Sequence, residues 1–300
     1  MLRCGLLAYG DAMVRMICLP SHLGREDVGM AQGPRRLVDG GAPAVLEELG
    51  HQVELRWVHR PERPTKLDHE IGNAFAVQSA LAVEVADAVA TGEFPLVLGG
   101  NCSAILGAIG GTGATNGLVF FDAHADANTP NTTTSGFIDG MPVAVATGRC
   151  WQNLARQIPG FAPLPDRSVL LVGQRSVDPD EQRLLDESDI GVVTTEQLGD
   201  ETCLSGALGR LAAEVDGVHL HVDLDVIDTA DGFANEQWAE EPGPSLDRLA
   251  AAIGQVAGGV PVRSISLTSY NPEVDTDGRA LQSGLTLLRA LAAGARTPGA

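Results

Sequence analysis

An α/β fold built on about eight parallel strands is what this sequence predicts, and three observations carry the expectation. Short apolar, β-rich runs alternate with longer Ala/Leu/Glu-rich stretches along nearly the whole chain. The spacers are long enough to be crossover helices, which parallel neighbours require. Several of the runs are apolar at nearly every position, as strands covered on both faces are.

In chain order, GLLAY (5–9) reads as a first strand rather than part of a signal peptide, because its apolar run stops at Asp11 and Arg15 follows soon after. A helical pattern over 34–49 leads to the strand VELRWV (53–58), and one over 70–91 leads to PLVLGG (95–100). A helix near 103–109, the strand LVFFD (118–122), a helix near 140–148 and the strand SVLLVG (168–173) come next. A helix over 178–188 precedes GVV (191–193), and one over 201–215 precedes VHLHVDLD (218–225). Helices over 246–257 and 278–293 flank the last strand, RSISLTS (263–269), and ARTPGA reads as a frayed end. No repeat, low-complexity segment or hinge-like linker interrupts the alternation, so residues 1–300 read as one domain.

Composition narrows the function. Formal net charge is −19, with 39 acidic against 20 basic residues. Nucleic acid and anionic membranes repel such a surface, whereas a cation or a small molecule does not. No run approaches the roughly 18 apolar residues of a membrane span. The five cysteines (Cys4, Cys18, Cys102, Cys150, Cys203) are odd in number, scattered and without a CxxC pair. Structural disulfides are therefore not expected, and a cytoplasmic, reducing location is.

The chemistry gathers at three strand ends, where parallel sheets bind ligands. FFDAHADANTP supplies Asp122, His124 and Asp126; HVDLDVID supplies Asp223, Asp225 and Asp228; LVLGGNCS supplies Cys102. In extended chain, residues i and i+2 point the same way, so each Asp-x-His/Asp set is expected to aim at one point. Carboxylates crowded there repel unless cations join them, and two divalent metals would both relieve the charge and activate a water. Against this stand plainer readings: a lone DxD is common in surface turns, and Cys102 fits a small buried hydrophobe. His219 and His221, on the strand itself, read as core or sheet-face histidines.

From MAQGPRRLVDGG through SYNPEVD the chain resembles the ureohydrolase family, which comprises arginase, agmatinase, formimidoylglutamase and their relatives. FFDAHADANTP and HVDLDVID carry the resemblance, and NTTTSGF (131–137) extends it towards arginase. It implies a three-layer α/β/α sandwich around an eight-stranded parallel sheet and two manganese ions that activate water against a guanidine or amidine carbon. By motif, Asp122 and Asp223 would bridge both ions. Cys102 and Asp126 would complete one shell, and His124 and Asp225 the other. Asn128 and Ser135 match positions that recognise the α-amino-acid end of arginine. The resemblance also implies a homo-oligomer, trimer or hexamer.

Four departures shape the expected chemistry. Asn101-Cys102 stands where the family has Asp-His, Asp139 where it has a proton-shuttling histidine, Phe137 where arginase has asparagine, and Ser269 where a glutamate pairs with the guanidinium. Asp126 and Asp139 are thus the catalytic candidates, and Asn128, Ser135 and Ser269 the substrate-facing ones. A thiolate is a soft ligand and poorly matched to manganese, so one ion is expected to bind weakly or to be zinc, cobalt or iron. Without its anionic partner the guanidine pocket suits a less basic substrate than arginine. Nω-hydroxyarginine is one, and the resemblance extends to the hydroxyarginine hydrolases, in which a cysteine replaces the histidine ligand. Two other readings stay open. One is an idle arginase-like protein with a metal-binding or regulatory role; the other is a cysteine-nucleophile enzyme using Cys102 with His124 as base.

Overall fold

The alternation of apolar runs and helices resolves into one sheet in the computed structural model, which describes residues 12–61, 69–113, 117–236 and 239–295. Its strands are β1 (Met13–Leu19), β2 (Gln52–Trp57), β3 (Phe94–Gly99), β4 (Gly117–Phe121), β5 (Val169–Gln174), β6 (Gly191–Thr194), β7 (Val218–Asp223) and β8 (Val262–Thr268). They lie in the order β2-β1-β3-β8-β7-β4-β5-β6, and every pairing is parallel.

Helices cover both faces, as parallel strands demand. One layer holds α1 (Gly33–Asp39), α2 (Ala42–Glu47), α8 (Glu201–Ala212), α9 (Leu246–Gly259) and α10 (Arg279–Ala292), packed on the side chains of Leu220, Val222, Ile265 and Leu267. The other holds α3 (Glu70–Ala90), α4 (Ala104–Thr112), α5 (Pro142–Ala146), α6 (Gln152–Ala155) and α7 (Pro179–Asp186), packed on Leu118, Phe120, Val97 and Leu171. The expected three-layer sandwich is therefore the observed one.

Differences from the sequence reading have local causes. The candidate strand at 5–9 and most of ARTPGA lie outside the described residues. The strand β1 was obscured by Arg15 in its middle. That side chain is buried and satisfied by ion pairs to Glu93 at 2.5 Å, Asp87 at 2.5 Å and Glu84 at 3.1 Å. A buried guanidinium needs such partners. The helix expected over 34–49 is two, because Gly41 takes φ 108° between α1 and α2. The run VHLHVDLD leaves the strand at Asp223 and enters a 3-10 turn.

What fixes the site is the start of α4, directly after β3. The helix can lie against α3 because it faces it with glycine. A Cβ on Gly107 would come 2.8 Å from the Gln78 carbonyl oxygen, and one on Gly111 would come 2.5 Å from Val85 Cβ. Neither backbone nor a branched Cβ can yield. Gly111→Ala is therefore expected to destabilise the protein by about 1–3 kcal/mol, the usual range for overpacking. Urea denaturation reads this directly, and an unchanged midpoint would contradict the close α3–α4 contact.

Candidate metal centre

Four central strands end side by side in the order β3-β8-β7-β4. Beyond their carboxyl ends lie Cys102, Ser269, Asp223–Asp225 and Asp122–Asp126 in turn. A cleft of about 310 Å³ opens there, with His124, Asp126, Asp139, Asp223, Asp225 and Ser269 in its lining, while Cys102 and Asp122 are buried beside it.

The convergence of the carboxylates is real, but its local cause is not strand alternation. β4 stops at Phe121 and β7 at Asp223. Asp122 Oδ1 accepts a hydrogen bond from the His124 N–H at 2.7 Å, and Asp223 Oδ1 accepts one from the Asp225 N–H at 2.8 Å. Each D-x-H/D motif is thus the same Asx turn, in which a carboxylate caps the backbone two residues on. One oxygen is spent on the turn and the other is left to the neighbouring acids and thiol. Asp126 reaches the same point by taking φ 49°, and Ser269 by taking φ 67°, left-handed conformations that non-glycine residues rarely adopt.

Two ligand groups result. Cys102, Asp122 and Asp126 offer atoms within 4.8 Å of one another, and so do Asp122, His124 and Asp225. Asp122 belongs to both. Asp223 Oδ2 lies 2.7 Å from Cys102 Sγ, against the first group. This donor set fits two cations on its own evidence. Asp122 Oδ2 and Asp225 Oδ1 are buried and have no hydrogen-bond partner, which is costly unless a cation takes the lone pairs.

Electrostatics say the same. Burial, then the Asp225 charge, pushes Asp122 up to about 7, and burial with neighbouring carboxylates raises Asp126 and Asp223 well above the usual range. Burial, then Asp223, raises the Cys102 thiol. His124 is opposed by burial, but Asp225 and Asp122 outweigh it and raise its pKa; burial would likewise raise Asp225, but His124 lowers it. Without cations, Cys102, Asp122, Asp126 and Asp223 are all shifted towards their protonated forms.

The turn carrying Cys102 is clamped from both sides. Asn101 Oδ1 accepts from the Leu23 N–H at 2.7 Å, and Asn101 Nδ2 donates to Asp139 Oδ2 at 2.6 Å. The Cys102 and Ser103 N–H groups also donate to Asp139, at 3.3 and 3.0 Å. Asn101 and Asp139 therefore form a matched pair, since an aspartate at 101 would set two carboxylates against each other. Asp139 lines the cleft while serving as this clamp, and burial lifts it to about 6 against the pull of these donors.

Of the substrate-facing candidates, Asn128, Ser135 and Ser269 all line the cleft. Asn128 Nδ2 donates to Asp178 Oδ2 at 3.0 Å, and its Oδ1 accepts from Thr132 Oγ1 at 2.9 Å. The sequence reading missed Asp178 and Glu181, which share the cleft with Thr133, Ser176 and Met30. Glu181 is buried, accepting from the Ala127 and Asp178 N–H groups. The capping pattern Asp178-Pro-Asp-Glu181 at the start of α7 was the available signal. Arg175, also missed, donates to the carbonyls of Asp225, Val226, Ile227 and Glu240, pinning the turn after β7.

The profile of the Arginase family matches residues 12–294. The chain belongs to the arginase family. Arginase of Bacillus subtilis is 34% identical over 232 residues, which cover 74% of this chain and 78% of that one. Arginase of Entamoeba histolytica is 28% identical over 88% of this chain and 92% of its own. The crystal structure of Bacillus subtilis arginase superposes with a TM-score of 0.82 at 28% identity, covering 93% of this chain and 98% of that one. Formimidoylglutamase of Bacillus subtilis, at 19% identity and a TM-score of 0.72, shares the fold. As a member of the arginase family the protein is a hydrolase of guanidino or amidino groups. Among the described residues, no helix is long and apolar enough to cross a membrane.

The shifted carboxylates set a pH dependence. A folded-state pKa raised above the unfolded value means the fold prefers the protonated acid, so stability falls as pH rises between the two. For Asp122 that window runs from its ordinary 3.8 to about 7. The raised His124 acts in the same direction above its ordinary 6.5, and the lowered Asp225 acts only below 3.8. Metal-free protein should therefore melt at lower temperature as pH rises from 5 to about 7.5, with divalent metal restoring a margin that widens with pH. Thermal melts with and without chelator test this, and a metal effect independent of pH would contradict it.

Proposed function

We propose that the protein hydrolyses the guanidine of an α-amino acid less basic than arginine, with Nω-hydroxyarginine the best fit, giving ornithine and hydroxyurea. Two divalent ions would be held, one by Cys102, Asp122 and Asp126 and the other by Asp122, His124 and Asp225, with Asp223, beside Cys102, as a further ligand. The observation that carries the substrate reading is Ser269. It is buried in the cleft lining, its Oγ 3.3 Å from Cys102 Sγ, and by motif its neutral hydroxyl stands in place of the family's guanidinium-pairing carboxylate. A fully charged guanidinium is poorly compensated there, and an N-hydroxylated one loses less.

When bound, the ions supply Lewis acidity that activates a water against the guanidine carbon. The chain's own residues do the rest. Asn128, Ser135 and Asp178 offer the donors and acceptors that an α-carboxylate and α-ammonium need. Asp126, aimed by its left-handed backbone, is the cleft-floor carboxylate placed to take the proton of the attacking water. As water adds to the carbon, the bond to the substrate's Nδ breaks and that nitrogen leaves with a proton. Asp139, which lines the cleft and is not among the proposed metal ligands, is the candidate to relay it.

Of the three glutamates near enough in sequence to replace the missing anion, Glu240 lines the cleft, Glu241 caps the Gly243 N–H, and Glu273 accepts from Gln32. Cys102 makes manganese a poor match for its group, so a softer ion such as zinc, cobalt or iron is proposed there, with manganese at the His124 group. The idle-protein reading would be favoured by elemental analysis finding less than one equivalent of metal after reconstitution.

Protein reconstituted with manganese, and separately with cobalt, is expected to show a kcat/KM for Nω-hydroxyarginine at least tenfold above that for arginine. A higher value for arginine would sink the argument from Ser269. Cys102→His is expected to bind manganese more tightly and to shift the preference towards arginine. Chelator should abolish activity in both forms, and no thiol adduct should be trapped with substrate, in contrast to a Cys102 nucleophile.

A further inference from the structure

Beneath the metal centre, β7 and β8 turn a polar face towards α4. The register pairs His219 with Ser264, His221 with Ser266 and Asp223 with Thr268. The two histidines and two serines are fully buried, an expensive composition for a sheet interior. They contact one another in a continuous chain. Ser264 Oγ lies 2.7 Å from His219 Nδ1, and His219 Nε2 lies 2.8 Å from Ser266 Oγ. Ser266 Oγ lies 2.7 Å from His221 Nδ1, and His221 Nε2 ends the chain 3.2 Å from Cys102 Sγ. Phe120 stacks on the His221 ring at 4.5 Å and 16°, fixing its plane.

We infer that His221 is a positioning residue for the Cys102 sulfur. The Ser264–His219–Ser266–His221 chain commits its Nε2–H to donate into the ligating thiolate. The inference rests on the reading of Cys102 as a metal ligand.

Proton accounting decides the direction. The Ser266 hydroxyl has one proton and two imidazole neighbours, so it donates to one and accepts from the other. If the chain ran from Cys102 towards Ser264, His221 Nε2 would be a lone pair facing the sulfur; the metal-free Cys102 S–H donates instead to Asp223 Oδ2, and Thr268 Oγ1, at 3.5 Å, is at the outer limit of a hydrogen bond. A metal-bound thiolate has no proton to give. The opposite direction leaves nothing unmatched: Ser264 donates to His219 Nδ1, His219 Nε2–H to Ser266, Ser266 to His221 Nδ1, and His221 Nε2–H to Cys102. Each ring then carries one proton and one lone pair, the uncharged form that a fully buried position favours.

The consequence concerns the ion held by Cys102. Thr268 Oγ1 and Ser269 Oγ also lie 3.3 Å from the sulfur, so His221 heads a set of three possible donors. Hydrogen bonds to a ligand sulfur fix its orientation and draw charge from it, so the metal keeps more Lewis acidity than beside a bare thiolate. His221 thereby offsets part of the penalty of exchanging a histidine ligand for cysteine.

Cobalt(II) is the probe, since a thiolate bound to it gives a near-ultraviolet charge-transfer band. In the unaltered protein, no such band would overturn the ligation of Cys102 and this inference with it. With the band present, His221→Phe should move it to lower energy and weaken cobalt binding by about tenfold or more, the usual effect of losing such a partner. The same substitution in a Cys102→Ser background should change affinity less than about twofold. A band unmoved by His221→Phe, or an equal loss of affinity in both backgrounds, would overturn the inference alone. Nitrogen NMR of the histidines in the unaltered zinc-loaded protein needs no variant to fold. His219 and His221 should both be neutral with the proton on Nε2, and a proton on Nδ1 of His221 would overturn it.

Discussion

Asp122, Asp126, Asp223 and the Cys102 thiol are buried within a few ångströms of one another at the ends of adjacent strands, and they cannot all be ionised there without cations. Repulsion among them is the constraint on which the rest of the site depends. It explains why their pKa values rise together, why lone pairs on Asp122 and Asp225 stand without partners, and why Asp122 is common to both ligand groups. A fold that assembles such a cluster spends stability on it. The return is a place that could hold divalent ions and meet charge developing on a substrate with charge already in position.

The scaffold bears this load through ordinary devices. Parallel strands bring four carboxyl ends to one line, and glycines let α4 start close beneath α3. Asx turns release one oxygen from each of Asp122 and Asp223. Asp139 then ties the Asn101–Cys102–Ser103 turn to the cleft wall. Read together, the departures from the family pattern are not independent losses. Asn101 and Asp139 exchange donor and acceptor between them, and Cys102 meets His221, Thr268 and Ser269. Paired changes of this kind give each altered side chain a hydrogen-bond partner, which argues for a retuned site more than for a decayed one.

Membership of the arginase family places the chemistry at guanidino or amidino carbon, and the individual residues narrow it further. On the function proposed above, a neutral Ser269, a soft sulfur among the metal ligands and Asn128 held by Asp178 would make an amino-acid pocket with reduced demand for positive charge. Whether that pocket rejects arginine is a matter of relative transition-state binding, which the buried, unpaired-charge penalty governs more than cleft size.

Much of this was legible in the residues alone. Period and length of the apolar runs determine a parallel α/β sheet, and the DxHxD and DxD motifs at strand ends determine where acids accumulate, because both depend on local chain geometry. Beyond that reach lay features set by long-range partners. Arg15 could sit inside β1 only because α3 and the residue before β3 supply carboxylates. The left-handed turns at Asp126 and Ser269 persist because the surrounding packing holds them there. Asp178 entered the site through the crossover after β5, and His221, a sheet-face histidine by sequence, met Cys102 across more than a hundred residues. Sequence specifies which groups a strand end carries. Tertiary structure decides which groups share a desolvated space, and there the interaction between charges is strong enough to determine their chemistry.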